Sequence, residues 1–152
     1  MDYKQIIKTS EYKNDRNCCT VIACSVVMDL EFSMVHKEFM EKGRVKNEGM
    51  YDMDWLPITE KIAKKNGYKC TMFSYRKNYK AYISEDNELL CMSGKQLTID
   101  NYNDFLPRGN YIFGYRGHVL GARDSIIEDW NVKNNRTITN RRFNRIVKFE
   151  KS

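Results

Sequence analysis

The stretch NDRNCCTVIACSVVM, residues 14–28, decides the fold. Its polar, turn-prone part ends at Asn17, and an apolar run of small residues begins at the adjacent pair Cys18 and Cys19. Apolar residues recur at helical spacing over residues 18–30, which predicts a helix with one buried face. The Asn and Asp residues before it are candidates for its N-terminal cap. A cysteine in the first turn lies at the positive end of the helix dipole, which favours the nucleophilic thiolate.

The spacing within this helix separates the three cysteines. Cys19 precedes Ala23 by four residues and Val26 by seven, so it shares the predicted buried stripe and should point into the protein. Cys18 should then point sideways. Cys24 lies inside the helix, far from the dipole end, and is expected in the core, where free cysteines are usually inert. Cys19 is therefore the candidate nucleophile.

The composition fits one domain over residues 1–152. Hydrophobic residues make up 41% of the chain, which excludes general disorder. Lys and Arg outnumber Asp and Glu by 26 to 20, giving a net charge of +6. This charge favours acidic partners, nucleic acid included, only weakly because it is spread along the chain. The densest basic cluster is typical of a solvated surface, or of a surface that attracts an acidic substrate electrostatically. It comprises Arg136, Arg141, Arg142, Arg145 and Lys148.

Cysteine usage and the termini bear on the compartment. The chain has five cysteines, its first residues form no apolar leader, and no apolar run approaches the length of a membrane span. We therefore expect a cytoplasmic protein with reduced thiols and no membrane partner. With only His36 and His118 available, and with no standard metal-loop spacing among the cysteines, we expect no metal and no other cofactor.

Two further helices are expected after the cysteine-bearing one. Ser33 should cap a helix over Met34–Lys42 that ends at Gly43, with His36 on its surface. Asp54 should cap a third helix with Pro57 in its first turn. Residues 1–13 are expected to form a strand or an irregular arm.

The second half of the chain favours strands. Alternation over residues 68–75 predicts one strand, and a weaker pattern suggests another near Lys80–Ile83 with a turn at residues 85–87. Thr98 could cap a short helix over Ile99–Leu106. Strands are then expected over residues 110–115, 118–123, 126–130 and 145–149. N-terminal helices packed on a C-terminal antiparallel sheet make an α+β fold.

A predicted hairpin brings a histidine and a carboxylate together. If Asp124 and Ser125 form its two-residue loop, Arg123 pairs with Ile126, and His118 lies near both Asn131 and Asp129. By period two, Asp129 shares the face of His118, and Glu128 lies on the other face. His118 could then take the proton of a thiol, with Asp129 or, alternatively, Asn131 fixing its tautomer. A helix-opening cysteine with later strand-borne histidine and Asp or Asn is typical of papain-like thiol enzymes.

These segments also resemble small papain-like cysteine peptidase domains encoded by bacteriophages and bacteria. The resemblance covers residues 14–131, is poor in the middle, and rests on residues 17–23, Val35-His36-Lys37, Gly43-Arg44, Gly109-Asn110-Tyr111-Ile112, Gly117-His118-Val119 and Asp129. It implies that Cys19 is the nucleophile, because the family's cysteine directly precedes the Thr-Val pair, with His118 as base and Asp129 as its orienter. It further implies a protein or peptide substrate and, for a phage protein, the host bacterial cytoplasm.

Two departures from the family pattern concern the groups around the nucleophile. The family more often has Asp immediately before the nucleophile, where this chain has Cys18. Papain-like enzymes usually carry an upstream Gln as oxyanion donor, and no Gln lies between Tyr12 and Cys19. Asn14 or Asn17 could substitute, together with the Cys19 backbone N–H. If neither does, the expected protein is a weak enzyme, a stoichiometric binder or an inactive relative.

The main hypothesis is thus a cysteine hydrolase acting on an amide bond, with deamidation and acyl transfer left open. The rival is a non-catalytic binding module on the same fold. It would grip an acidic partner, including single-stranded nucleic acid, through a basic and tyrosine-rich surface comprising Tyr75, Arg76, Lys77, Tyr79, Lys80 and Tyr82. Binding driven by phosphates should weaken steeply as salt rises.

Overall fold

Two short capped helices open the chain in the computed structural model, which describes residues 1–74, 81–83, 89–91, 97–115, 117–129, 143 and 145–152. They are α1 (Tyr3–Ile6) and α2 (Ser10–Lys13), so the expected strand or irregular arm over residues 1–13 is wrong. The physical reason is local capping: Asp2 and Gln5 form a reciprocal capping box, and the Thr9 hydroxyl accepts from the Tyr12 N–H.

The cysteine-bearing helix α3 (Cys19–Met28) forms where it is predicted. Every residue from Thr20 to Met28 is buried, so the helix is enclosed on all sides rather than on one face. The predicted Asn or Asp cap is wrong: Cys18 occupies the cap position, and its side chain makes no cap hydrogen bond. The first N–H groups of α3, at the end that carries Cys19, are therefore not capped by the preceding side chain.

Helix α4 (Phe32–Glu41) begins two residues before its predicted start, and α5 (Asp52–Lys65) begins three residues before its predicted start. Their cap residues are Glu31 and Tyr51 instead of Ser33 and Asp54. Pro57 consequently falls in the second turn of α5. Asp52 and Asp54 both lie in the first turn, where the helix dipole favours carboxylates.

The strands form a five-stranded antiparallel sheet in the order β1-β7-β4-β5-β6, and a separate pair β2-β3. The bounds are β1 (Tyr68–Ser74), β2 (Ala81–Ile83), β3 (Leu89–Cys91), β4 (Asn110–Tyr115), β5 (His118–Arg123), β6 (Ile126–Glu128) and β7 (Arg145–Lys151). Helices come first and most of the sheet follows, so the α+β prediction is confirmed.

The least regular segments differ from expectation. The short helix predicted over Ile99–Leu106 is reduced to α6 (Tyr102–Phe105), because the Asn101 side chain accepts from the Thr98 N–H at 2.8 Å and closes a turn there. Strand β6 ends at Glu128, two residues before the predicted end. The turn expected at residues 85–87 lies outside the described residues.

Strand β5 approaches α3 closely at a glycine. A Cβ on Gly121 would lie 2.9 Å from the Ala23 carbonyl oxygen and 3.3 Å from the Val26 Cβ. Since β5 begins at His118 and α3 at Cys19, this contact sets the spacing between the two elements that carry the candidate residues.

Gly121→Ala is therefore expected to destabilise the protein by about 1–3 kcal/mol, since the overpacked methyl must push α3 away from β5. Urea titration measures the change in the free energy of unfolding. Gly49→Ala is the matched control, because a Cβ on Gly49 would meet nothing within 4 Å. Equal stability of the two variants would contradict the close contact.

Candidate active site

Cys19 is the first residue of α3 and its thiol is half-buried in the wall of a cleft. Cys18, expected to point sideways, is instead 2% exposed. Burial raises the pKa of the Cys18 thiol to about 11. The two adjacent cysteines thus differ in burial, and Cys19 is the one that a molecule in the cleft can reach.

The other two cysteines with described side chains have the features of inert thiols. Cys24 is fully buried, as expected, and its Sγ lies 3.1 Å from the Thr59 hydroxyl. Burial raises the pKa of Cys24 and of the half-buried Cys70 to about 12. Both remain protonated at neutral pH, so neither competes with Cys19 as a nucleophile.

The hairpin that carries His118 has the predicted register. Arg123 pairs with Ile126, and Asp124 and Ser125 form the turn with φ of 53° and 63°. Asp129 follows β6 directly, and its Oδ2 lies 2.9 Å from His118 Nε2. The two side chains are 8% and 1% exposed. The hairpin therefore holds a buried carboxylate against one ring nitrogen of His118.

Electrostatics at His118 favour the imidazolium. Burial alone would lower its pKa, but hydrogen bonds with Asp129 and with Cys19, and the charges of both groups, raise the pKa of His118 to about 9. Because Nε2 faces Asp129, Nδ1 is the ring nitrogen left for the thiol. At neutral pH the His118 ring is therefore protonated.

The cleft beside this pair has a volume of about 820 Å³, within the usual range for ligand sites. Residues 48–53 and Trp55 form one wall, and residues at the adjoining ends of β4 and β5 form the other. Cys19 also lines the cleft, and His118 belongs to the second wall. The cleft is open to solvent, and both the thiol-bearing and the imidazole-bearing residue border it.

The predicted oxyanion donors lie elsewhere. Asn14 Nδ2 donates to the Ser10 carbonyl and Asn17 Nδ2 donates to the Asn47 carbonyl, each at 2.9 Å. Both line a separate polar concavity with Lys13 and Arg16, not the Cys19 cleft, so the structure corrects this expectation. The physical reason is that each amide finds a nearby backbone acceptor. The uncapped first turn of α3, beginning with the Cys19 N–H, supplies the remaining donors.

A buried ionic cluster just before Cys19 was not anticipated. Asp15 accepts from both terminal nitrogens of the fully buried Arg44, from the Asn47 N–H at 2.7 Å, and contacts His36 Nε2 at 2.6 Å. Arg44 also donates to the Arg16 carbonyl at 3.1 Å. His36 therefore belongs to this buried cluster through its contact with Asp15, and the surface position expected for it is wrong. The cluster fixes the segment leading into α3.

Several predicted groups fall outside the described residues, including the alternative orienter Asn131, residues 75–80 of the tyrosine-rich segment, and Arg136, Arg141 and Arg142. Of the basic cluster, Arg145 Nε donates to Asp52 at 2.9 Å, and Lys148 lies 3.2 Å from Glu150. These two cations are thus engaged with carboxylates of the chain itself.

Metal and membrane features can be assessed for the described ranges. There, no group of three or more His, Cys, Asp or Glu side chains is arranged to hold a metal ion. Within the same ranges, the helices are too short or too polar to cross a membrane. Comparison of the chain with protein-family models, curated proteins and solved structures gives no match.

Proposed function

We propose that the protein is a cysteine hydrolase that acts on a peptide or isopeptide amide bond. The observation that carries the proposal is that Cys19 and His118 line the same open cleft, with the buried Asp129 carboxylate 2.9 Å from the His118 ring. A nucleophile, a base and a carboxylate that orients the base are the parts that this chemistry requires.

The proposed reaction has two halves, the formation of a thioester on Cys19 and its hydrolysis. The Cys19 thiolate attacks the carbonyl carbon, and the carbonyl electron pair moves onto oxygen, close to the Cys19 N–H. The His118 imidazolium gives its proton to the leaving amine as the tetrahedral intermediate collapses to a thioester. The neutral imidazole then takes a proton from water, whose hydroxide attacks the thioester and releases the acid. Asp129 holds the ring in position throughout.

The same proposal includes a papain-like fold. In support, Cys19 opens the first long helix α3, and His118 opens a strand of the antiparallel sheet against which that helix packs. The chain order of cysteine, histidine and carboxylate also agrees with the resemblance found in the sequence. Hydrolysis, deamidation and acyl transfer share the thioester step, and the acceptor that attacks it distinguishes them.

The direct test is a peptide library made by digesting a bacterial lysate, incubated with the protein and analysed by mass spectrometry. We expect new peptide termini, or side-chain amides converted to acids, with the wild type and none with Cys19→Ala. Cys24→Ala is the matched control, because that thiol is fully buried and away from the cleft. A fully active Cys19→Ala protein would contradict the proposal.

Replacing the carboxylate should move the alkaline limit of the reaction. Asp129 raises the pKa of His118, so in the wild type the imidazolium is lost as pH rises through about 9. In Asp129→Asn the carboxylate charge that raises the pKa of His118 is lost, while burial still lowers that pKa. The pKa of His118 should therefore fall. We therefore expect the alkaline limb of the cleavage-rate profile to shift toward lower pH. An unchanged limb would show that Asp129 does not hold the imidazolium.

A further inference from the structure

The wall of the cleft formed by residues 48–53, called the 48–53 wall here, exposes large apolar side chains. Tyr51 is 80% exposed and Met53 is 79% exposed, more than the other exposed large apolar residues of the described chain. Both line the cleft that contains Cys19 and His118. Such exposure adds nothing to the core, so the fold does not explain why these two positions are apolar.

The same wall is acidic in a basic protein. Residues 47–60 contain four carboxylates and no Lys or Arg, although the whole chain carries +6. The carboxylates belong to Glu48, Asp52, Asp54 and Glu60. Among the described residues that line the cleft there is no Lys or Arg either. The formal charge of residues 47–60 is therefore opposite in sign to the net charge of the molecule.

Of these carboxylates, Glu48 is the one that the fold leaves unexplained. Asp52 accepts from Trp55 Nε1 at 2.8 Å and from Arg145 Nε at 2.9 Å, and Asp54 lies in the first turn of α5. Glu60 does not line the cleft. Glu48 precedes α5, is exposed, lines the cleft, and forms no ion pair within the described part of the chain.

We propose that the 48–53 wall selects a peptide segment carrying Lys or Arg beside a large apolar residue. The cation would lie against Glu48, and the apolar side chain against Tyr51 and Met53. This inference rests on the proposed function and names the substrate class for the same cleft. Charge complementarity favours a basic peptide over a nucleic acid, because phosphates would be repelled by Glu48.

The test uses four peptidyl chloromethyl ketones that differ only in two side chains: acetyl-Leu-Lys, acetyl-Leu-Glu, acetyl-Gly-Lys and acetyl-Gly-Glu. The thiolate displaces chloride and forms a thioether, so intact mass and peptide mapping give the rate of Cys19 modification. We expect Leu-Lys to react fastest, with a Lys-over-Glu preference of about three- to tenfold at low salt that shrinks at high salt.

Variants of the wall separate its two contributions. Glu48→Gln should abolish the Lys-over-Glu preference, and Glu48→Lys should reverse it. Met53→Ser should reduce the Leu-over-Gly preference and leave the charge preference in place. Glu60→Gln, on α5 but outside the cleft lining, is the matched control and should retain both preferences.

Iodoacetamide, which is small and uncharged, distinguishes failure of this inference from failure of the proposed function. Fast Cys19 labelling by iodoacetamide with equal rates for all four ketones would overturn the substrate class alone. Slow labelling by iodoacetamide at neutral pH would overturn the proposed function and the substrate class with it. A Lys preference that persists unchanged in Glu48→Gln would also overturn the assignment to this wall.

Discussion

Replacing His118 by alanine is expected to slow the iodoacetamide labelling of Cys19 at pH 6.5 by about 100-fold. An ordinary thiol is only about 1% thiolate at that pH. If Cys19 and His118 form the proposed pair, the imidazolium, which persists until pH about 9, favours the thiolate in the wild type. Without the ring, Cys19 keeps only the helix terminus as a stabilising partner, and the reactive fraction falls accordingly.

The labelling rate of each cysteine is measured by quenching and peptide mapping. Cys70 is an internal control, because it is half-buried on β1, and its labelling should be the same in both proteins. Faster labelling of Cys70 in the variant would reveal unfolding instead of a local effect. Equal labelling of Cys19 in the wild type and His118→Ala would contradict the proposed pair.

The second large effect is expected at the ionic cluster before the nucleophile. Asp15→Ala should destabilise the protein by about 3–5 kcal/mol, because it leaves the charge of Arg44 buried without its carboxylate. The Arg44 side chain is 0% exposed and that of Asp15 is 2% exposed. The free energy of unfolding, measured with urea, gives the loss.

Arg108→Ala is the matched control for an ion pair at the surface. Arg108 and Asp124 are 73% and 60% exposed, so removing their pair should change the free energy of unfolding far less than Asp15→Ala does. Similar losses in the two variants would contradict the distinction between a buried and an exposed pair.

The same cluster predicts how the free energy of unfolding depends on pH in the acidic range. Burial would raise the pKa of Asp15, but hydrogen bonds from Arg44, Asn47 and His36 hold it at about 2. Since the folded pKa lies below the unfolded value of about 3.9, this stabilisation is complete above pH 4. It is lost as pH falls from about 4 to 2. The difference in the free energy of unfolding between the wild type and Asp15→Asn, measured with urea, should shrink as pH falls over that range. A constant difference would contradict the assignment.

The parts that could be predicted from the sequence are those with local patterns. Helical spacing marks α3, and period two with a two-residue turn places His118 and Asp129 on one face of a hairpin. These patterns involve neighbours within about a dozen residues of each other. They therefore bring the candidate base and its orienter together without knowledge of the whole fold.

The parts that could not be predicted depend on polar contacts made across the fold. Asp15 and Arg44 are 29 residues apart, and no periodicity connects them. Asn14 and Asn17 have the right side chains near Cys19, but backbone carbonyls nearby compete for their amides. The observed starts of α4 and α5 also differ from the predicted ones. The predictions assumed a side-chain cap, and neither helix has one.

The most direct measurement is the rate of iodoacetamide labelling of Cys19 in the wild type from pH 4 to 10, resolved by peptide mapping. A thiolate–imidazolium pair predicts rapid labelling already at pH 6, with a second change near pH 9 as His118 loses its proton. A single rise with a midpoint near the ordinary thiol value of about 8.5 would contradict the pair, and with it the proposed hydrolase.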